Sequence, residues 1–198
     1  MTLPNQLTVA RIVLTPIFLF FFLMEDPLYK QISVGIFIIA ALTDWYDGWL
    51  ARKFNYITEW GKFMDPLADK ILTSTTFFAF CYLGVLEYWM VAIIVFRDLL
   101  ITALRFYADY NKHAFATSRL AKWKTFFQMA FLYYLLLMYA VSTIEPFYSN
   151  NLEFFETLSN PTAYYFIMLF ITIFTLYTGF RYLARNKSLL KKIFTFNK

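Results

Sequence analysis

One cysteine and one histidine stand in 198 residues. Cys81 has no partner for an intrachain disulfide, so nothing points to an oxidising compartment. In the apolar run TTFFAFCYLG it is expected to be a small buried hydrophobe. His113 falls in the polar stretch DYNKHAF and is expected to be solvated. With no paired cysteines, a zinc centre lacks ligands. Charge is scarce as well: Asp, Glu, Lys and Arg make up 16% of the chain, against about 25% in an ordinary soluble domain. Repeats and low-complexity stretches are absent. The opening MTLPNQLTVARIVLTPIFLF lacks a basic region before its apolar part and a small-residue cleavage site after it, and Arg11 interrupts it. It is expected to be retained rather than removed as a signal.

What fills the chain is apolar, at 60% of residues, of which aromatics alone are 23%. That balance defines an integral membrane protein, read as a single domain over residues 1–198. A helix needs about 20 apolar residues to cross the hydrocarbon core. Six segments qualify, near 8–24, 32–51, 61–86, 88–107, 120–143 and 161–183. The expected fold is therefore all-α and polytopic, with the amphipathic lead-in 3–10 lying along the interface as a short separate helix. Pro16 is expected to kink the first span, and Pro66 to fall in the first turn of the third. Continuous rather than alternating apolar runs exclude a β-barrel. Acidic residues gather in the loops near 25–31, 87 and 142–160, where Lys30 stands alone among the bases; Arg52, Lys53, Lys112, Arg119, Lys122, Lys124, Arg181 and Arg185 gather at the other ends. The positive-inside rule puts both termini on the cytoplasmic side of the inner membrane. The net charge of +5 suits anionic lipid headgroups. Aromatics interleaved with bases lie within apolar spans, so no nucleic-acid partner is expected.

Four carboxylates break this pattern within 43–70, TDWYDGWLARKFNYITEWGKFMDPLADK. Asp44 and Asp47 are three apart, Asp65 and Asp69 four apart, so each pair shares a helix face. Gly48, Ala51 and Arg52 follow Asp44 on that face, and Gly61 precedes Asp65 by one turn. Each helix thus sets carboxylates beside a small residue. The short connection predicts that the two helices are antiparallel neighbours with these faces opposed. Burying such carboxylates unpaired costs several kcal/mol each, so a cation is required. Hard oxygen donors favour Mg²⁺ or Mn²⁺, with Ca²⁺ as inhibitor or substitute. Two ions bridged by carboxylates can clamp a phosphoryl group during in-line displacement. The alternative is salt-bridging to Arg52, Lys53, Lys62 and Lys70 at the helix ends; intramembrane acids favour the functional reading.

The same residues carry a resemblance. Asp44, Asp47, Gly48, Ala51 and Arg52, then eight residues, then Gly61, Asp65 and Asp69 match every fixed position of the CDP-alcohol phosphotransferase signature. The resemblance implies that Asp44, Asp47, Asp65 and Asp69 hold two divalent cations, and that Asp69 is the catalytic base for the acceptor hydroxyl. Gly48, Ala51, Arg52 and Gly61 would line the site of the CDP-linked lipid. The implied reaction is attack of an alcohol on the lipid-bearing phosphorus, with release of CMP. A homodimer is also implied.

Substrate choice is expected in the later spans. Arg97 and Arg105 lie two turns apart on one face of the fourth, and Arg119, Lys122, Thr125 and Gln128 follow helical spacing in the fifth. With Lys124, these bases form a candidate pocket for an acceptor phosphate, with Arg gripping it in bidentate fashion. The alternative pairs Arg97 with Asp98 or a site aspartate, and lets Lys122 and Lys124 snorkel to lipid phosphates. A phosphate pocket points to glycerol 3-phosphate or an inositol phosphate. LPNQLTVARIVLTPIF, VFRDLLITALR and AKWKTFFQM resemble the bacterial phosphatidylglycerophosphate synthases of that family, so the expected substrates are CDP-diacylglycerol and glycerol 3-phosphate. That likeness adds Asn5 and Thr8, before Arg11, as nucleotide contacts; a helix cap is the other reading of the two. Ala121 stands where that branch usually has Gly, and Asp98 where it often has Glu. Other acceptors (an inositol phosphate, serine or phosphatidylglycerol) remain alternatives. A cation transporter would place such acids near the bilayer midplane, often in repeated halves, and these aspartates have no counterpart in the second half.

Overall fold

The computed structural model describes residues 3–54, 58–110 and 119–187, save the side chains of Ala51, Arg52, Glu59, Lys62 and Pro146. His113 and Lys112 lie outside the described residues. The described residues form helices only: α1 (Leu3–Phe22), α2 (Pro27–Phe54), α3 (Glu59–Tyr82), α4 (Tyr88–Tyr110), α5 (Arg119–Val141), α6 (Glu145–Asn150), α7 (Leu152–Leu158) and α8 (Pro161–Arg185). The six long ones overlap the six apolar segments, with ends that differ by up to five residues. The fold is that of a polytopic all-α integral membrane protein. Among the described residues three stretches are long and apolar enough to span a bilayer by length and composition alone: α1, α5 and Leu152–Arg185. Helices α2, α3 and α4 carry Asp44, Asp47, Asp65, Asp69, Arg97 and Asp98, and these charges lower their mean hydropathy.

Local chemistry sets the helix ends. Thr58 caps α3 by accepting from the Gly61 N–H, and Asn160 caps α8 by accepting from the N–H groups of Thr162 and Ala163. Helix α3 ends in a Schellman turn, with Val85 N–H bonded to Phe80 O and Gly84 N–H to Cys81 O. Gly84 holds φ of 73° there, a conformation that favours glycine. Two expectations need correction. Residues 3–10 are the first turns of α1 rather than a separate interfacial helix, because Pro4, Asn5 and Thr8 are buried within the bundle. Pro66 lies inside α3, two turns beyond its start at Glu59, rather than in the first turn.

The long helices close a ring in the order α1–α2–α5–α8–α4–α3 and back to α1, with α3 also reaching α5. A third correction concerns α2 and α3. Among the described residues their main packing is not against each other; α1 lies against both. At the end opposite the carboxylates, Tyr139 donates to Phe22 O at 2.6 Å, and its ring stacks on Phe22 at 4.3 Å. Gln31 on α2 donates to Thr143 O in the turn after α5. Between these ends Phe18, Phe22, Phe37, Phe77, Phe80, Met90, Leu132 and Met168 form the packed interior, where Cys81 is also buried. Fully buried Ala40 and Ala68 let backbones approach, as helix packing in lipid requires. Phe96, Phe166, Phe170 and Phe180 face outward, as expected of lipid-facing positions.

Candidate active site

Helix α1 brings three polar side chains to the carboxylates. Arg11 is wholly buried, with Nη2 donating to Asp47 Oδ2 at 2.6 Å and Nη1 paired with Asp44 Oδ1 at 2.7 Å. The Asp44 contact is an ion pair that lacks hydrogen-bond alignment. Arg11 Nε reaches Ala40 O at 3.4 Å, which steadies the fork against α2. One turn earlier, the buried Thr8 hydroxyl donates to Asp65 Oδ1 on α3. Asn5 Oδ1 accepts from the Thr58 hydroxyl at 3.0 Å, so α1 also locks the cap of α3. Gly61 belongs to that corner. A Cβ there would sit 3.1 Å from both Asn5 Oδ1 and Thr58 Oγ1 and 3.5 Å from Asp65 Oδ2. Asp44 is half-exposed and within electrostatic reach of Asp65 and Asp69.

The second part of the site is a cavity of about 740 Å³ between α3, α4, α5 and α8. Asp69 and Lys70 line it from α3, Arg97, Thr102, Arg105 and Asp109 from α4, Lys122 and Thr125 from α5, and Tyr182 from α8. Its remaining wall is apolar, including Phe63, Leu67, Ile101 and Phe106. Asp69 Oδ2 pairs with Lys70 Nζ at 3.1 Å. Arg97 donates to Asp98 Oδ1 from Nη1 and to Thr178 Oγ1 from Nη2, both at 3.1 Å. Gly179 leaves room for it, since a Cβ there would lie 3.2 Å from Arg97 Cγ. Arg105 and Lys122 have no ion pair among the described residues.

The sequence candidates thus fall into groups. Asp44, Asp47, Asp65, Asn5, Thr8 and Gly61 gather around the start of α1, and Gly48 lies one turn from Asp44 on α2. The side chains of Ala51 and Arg52 lie outside the described residues. Asp69, Arg97, Arg105 and Lys122 share the cavity. Arg119 is exposed at the start of α5 and does not line it. Lys124 is fully buried instead, donating to Asp98 Oδ1 and Gln128 Oε1. It lies two residues from Lys122 and therefore on another face of α5.

The four carboxylates are each held by a protein side chain. Among the described residues no three acidic, His or Cys side chains are placed to bind a single ion. Each is drawn to a protein donor instead: Arg11, Arg11, Thr8 and Lys70 in turn. The donor set still suits a hard divalent ion. It is all oxygen, and one oxygen of each carboxylate accepts no hydrogen bond or ion pair among the described residues. Arg11 was not a sequence candidate, although a guanidinium inside an apolar span signals a buried carboxylate partner. Lys70 and Asp109 were also missed as cavity residues.

Fold and site define an integral membrane enzyme whose acids and bases meet at one end of a helix bundle. Comparison with known proteins gives the class: residues 1–177 match the CDP-alcohol phosphatidyltransferase family, to which the chain belongs. It is 35% identical to the CDP-diacylglycerol–glycerol-3-phosphate 3-phosphatidyltransferase of Bacillus subtilis over 96% of this chain and 97% of that one. The enzyme of the same name from Salmonella paratyphi A is 38% identical over 68% of this chain and 76% of its own. A rice cardiolipin synthase (CMP-forming) is 35% identical over 69% of this chain and 46% of its own. Members of the family use divalent cations.

Proposed function

We propose that this enzyme transfers the phosphatidyl group of CDP-diacylglycerol to glycerol 3-phosphate, releasing CMP. The observation that carries this reading is the cavity that joins Asp69 to Arg97, Arg105 and Lys122. Its volume lies within the range of small-molecule sites. The three bases supply the charge and the forked donors that suit a phosphate dianion. With the acceptor phosphate held there, its hydroxyl lies on the side of Asp69. Asp69 takes the proton as the acceptor oxygen forms its bond to the lipid-bearing phosphorus. The bond from that phosphorus to the CMP oxygen breaks, and CMP leaves with the electron pair. The diacylglycerol tail stays in lipid throughout.

Asp44, Asp47, Asp65 and Asp69 would hold two divalent ions, Mg²⁺ or Mn²⁺, which supply neutralisation of charge on the diphosphate. Asn5, Thr8, Gly48, Ala51, Arg52 and Gly61 would bind the nucleotide. The residues of the chain contribute mainly by positioning and electrostatics. Six spans, with both termini and the site on the cytoplasmic side, follow from the loop charges, and the working unit is a homodimer.

The test is CMP release by purified protein given CDP-diacylglycerol, Mg²⁺ or Mn²⁺ and one acceptor at a time. Glycerol 3-phosphate is expected to support turnover, which EDTA abolishes. Activity with serine alone would overturn the phosphate pocket, and activity indifferent to EDTA would overturn the metal site. Turnover on phosphatidylglycerol would instead support a second reading, favoured by similarity to the rice cardiolipin synthase.

A further inference from the structure

The four aspartates share a feature that neither the signature nor the cavity explains. Each has one oxygen engaged by a protein donor and the other uncommitted among the described residues. Oδ1 of Asp44 and Oδ2 of Asp47 are held by Arg11, Oδ1 of Asp65 by Thr8, and Oδ2 of Asp69 by Lys70. Arg11 is the centre of this arrangement. Among the described residues it alone engages two of the carboxylates; its guanidinium is wholly buried, and it comes from α1 rather than from the signature helices.

We propose that Arg11 is a positioning residue for the divalent cations, gripping one oxygen of Asp44 and one of Asp47 so that the other oxygen of each is aimed at the ion. The proposal rests on the reading above in which these aspartates are the metal ligands. A ligating carboxylate with a free rotor must lose side-chain freedom on binding; one whose second oxygen is already bonded has lost it in advance. The planar fork of arginine suits this task because its two terminal nitrogens reach two different carboxylates at once, 2.7 and 2.6 Å away. A lysine would supply the same charge from one point and could not hold both. Position along α1 adds to the grip. Thr15 donates back to Arg11 O at 2.9 Å, and Arg11 Nε is directed to Ala40 O, so neither the backbone nor the side chain is free to turn. In this role Arg11 acts through Asp44 and Asp47, the two carboxylates it contacts.

A simpler role would be that of a counter-ion, offsetting carboxylate charge until a metal does so. The two roles predict opposite responses. A counter-ion competes with the metal, so Arg11→Met would tighten ion binding and Arg11→Lys would leave it unchanged. A positioning residue makes both variants bind the ion more weakly.

The deciding measurement counts free Mn²⁺ by electron paramagnetic resonance, titrating full-length protein in detergent without substrate. Wild type, Arg11→Lys, Arg11→Met and Asp47→Asn are compared, with melting curves to confirm that each is folded. The expected result is an affinity roughly 10- to 100-fold lower in Arg11→Lys, the range seen for outer-shell partners of metal ligands. Wild-type affinity in Arg11→Lys, or tighter binding in Arg11→Met, would overturn the proposal while leaving the metal site standing. Failure of wild type itself to bind Mn²⁺, or binding indifferent to Asp47→Asn, would overturn the metal-site reading and this inference with it.

Discussion

Asp98 is a buried charge outside the four signature aspartates, and its replacement gives a sharp test of how the cavity is built. It is 7% exposed and receives bonds from two cations, Arg97 at 3.1 Å and Lys124, which is itself 0% exposed. Asp98→Asn keeps the shape and removes the charge. The fully buried Lys124 and the largely buried Arg97 would then be two cations with no anion between them, left with neutral acceptors only: the Asn carbonyl oxygen, Gln128 and Thr178. Breaking a buried pair by removing one partner costs about 3–5 kcal/mol. For a chain of this length each kcal/mol moves the melting temperature by about 2–4 °C, so a fall of roughly 6–20 °C is expected. Lys124→Met should do less harm, because Asp98 keeps Arg97. The double variant should lose less than the sum of the two, by about 0.5–3 kcal/mol of coupling. Thermal unfolding in detergent, followed by intrinsic fluorescence, reads all three. Because Arg97 loses its anchor, Asp98→Asn should also raise KM for glycerol 3-phosphate more than that for CDP-diacylglycerol. An Asp98→Asn protein melting within about 2 °C of wild type would refute the reasoning, since that is less than 1 kcal/mol.

Three further outcomes follow from the same geometry. Asp69→Asn should lower kcat by roughly 10²–10⁴-fold in the CMP-release assay, the span of general-base contributions; unchanged turnover would remove Asp69 from that role. Arg105→Gln should raise KM for glycerol 3-phosphate roughly 10- to 150-fold with little change in KM for CDP-diacylglycerol, from loss of about 1.5–3 kcal/mol in a charge-assisted bond. Gly61→Val would drive its side chain into Asn5 Oδ1 and Thr58 Oγ1, both 3.1 Å from a Cβ at that position. Overpacking of this kind costs about 1–3 kcal/mol, so a lower melting temperature and a raised KM for CDP-diacylglycerol are expected.

Hydropathy alone made the six long helices legible, because each apolar run is bounded by charged or turn-forming residues. Helix ends followed from local signals such as Thr58, Gly84 and Asn160. The carboxylate pairs were legible for a similar reason: spacings of three and four put them on shared faces without any knowledge of tertiary structure. Periodicity also held information that was left unused. Lys122 and Lys124 are two residues apart and cannot both face one cavity, and the structure turns Lys122 to the cavity and Lys124 to Asp98. Which of the two faces inward depends on Asp98 and Gln128, which offer Lys124 acceptors across the helix gap and one turn along α5.

What could not be read locally is the place of α1. The few residues between α2 and α3 suggest that those helices pack together, and chain proximity is usually a sound guide. Here, among the described residues, each packs chiefly on α1 rather than on the other. A helix in that position must meet carboxylates on both sides, and its composition answers the demand: Arg11 serves Asp44 and Asp47 on α2, while Thr8 and Asn5 serve Asp65 and Thr58 on α3. These three residues follow each other at three-residue spacing, on one stripe of the helix. A polar stripe buried in a membrane helix makes sense when both neighbours present polar or charged groups. The signature therefore specifies the acids, and α1 specifies how they are held and oriented.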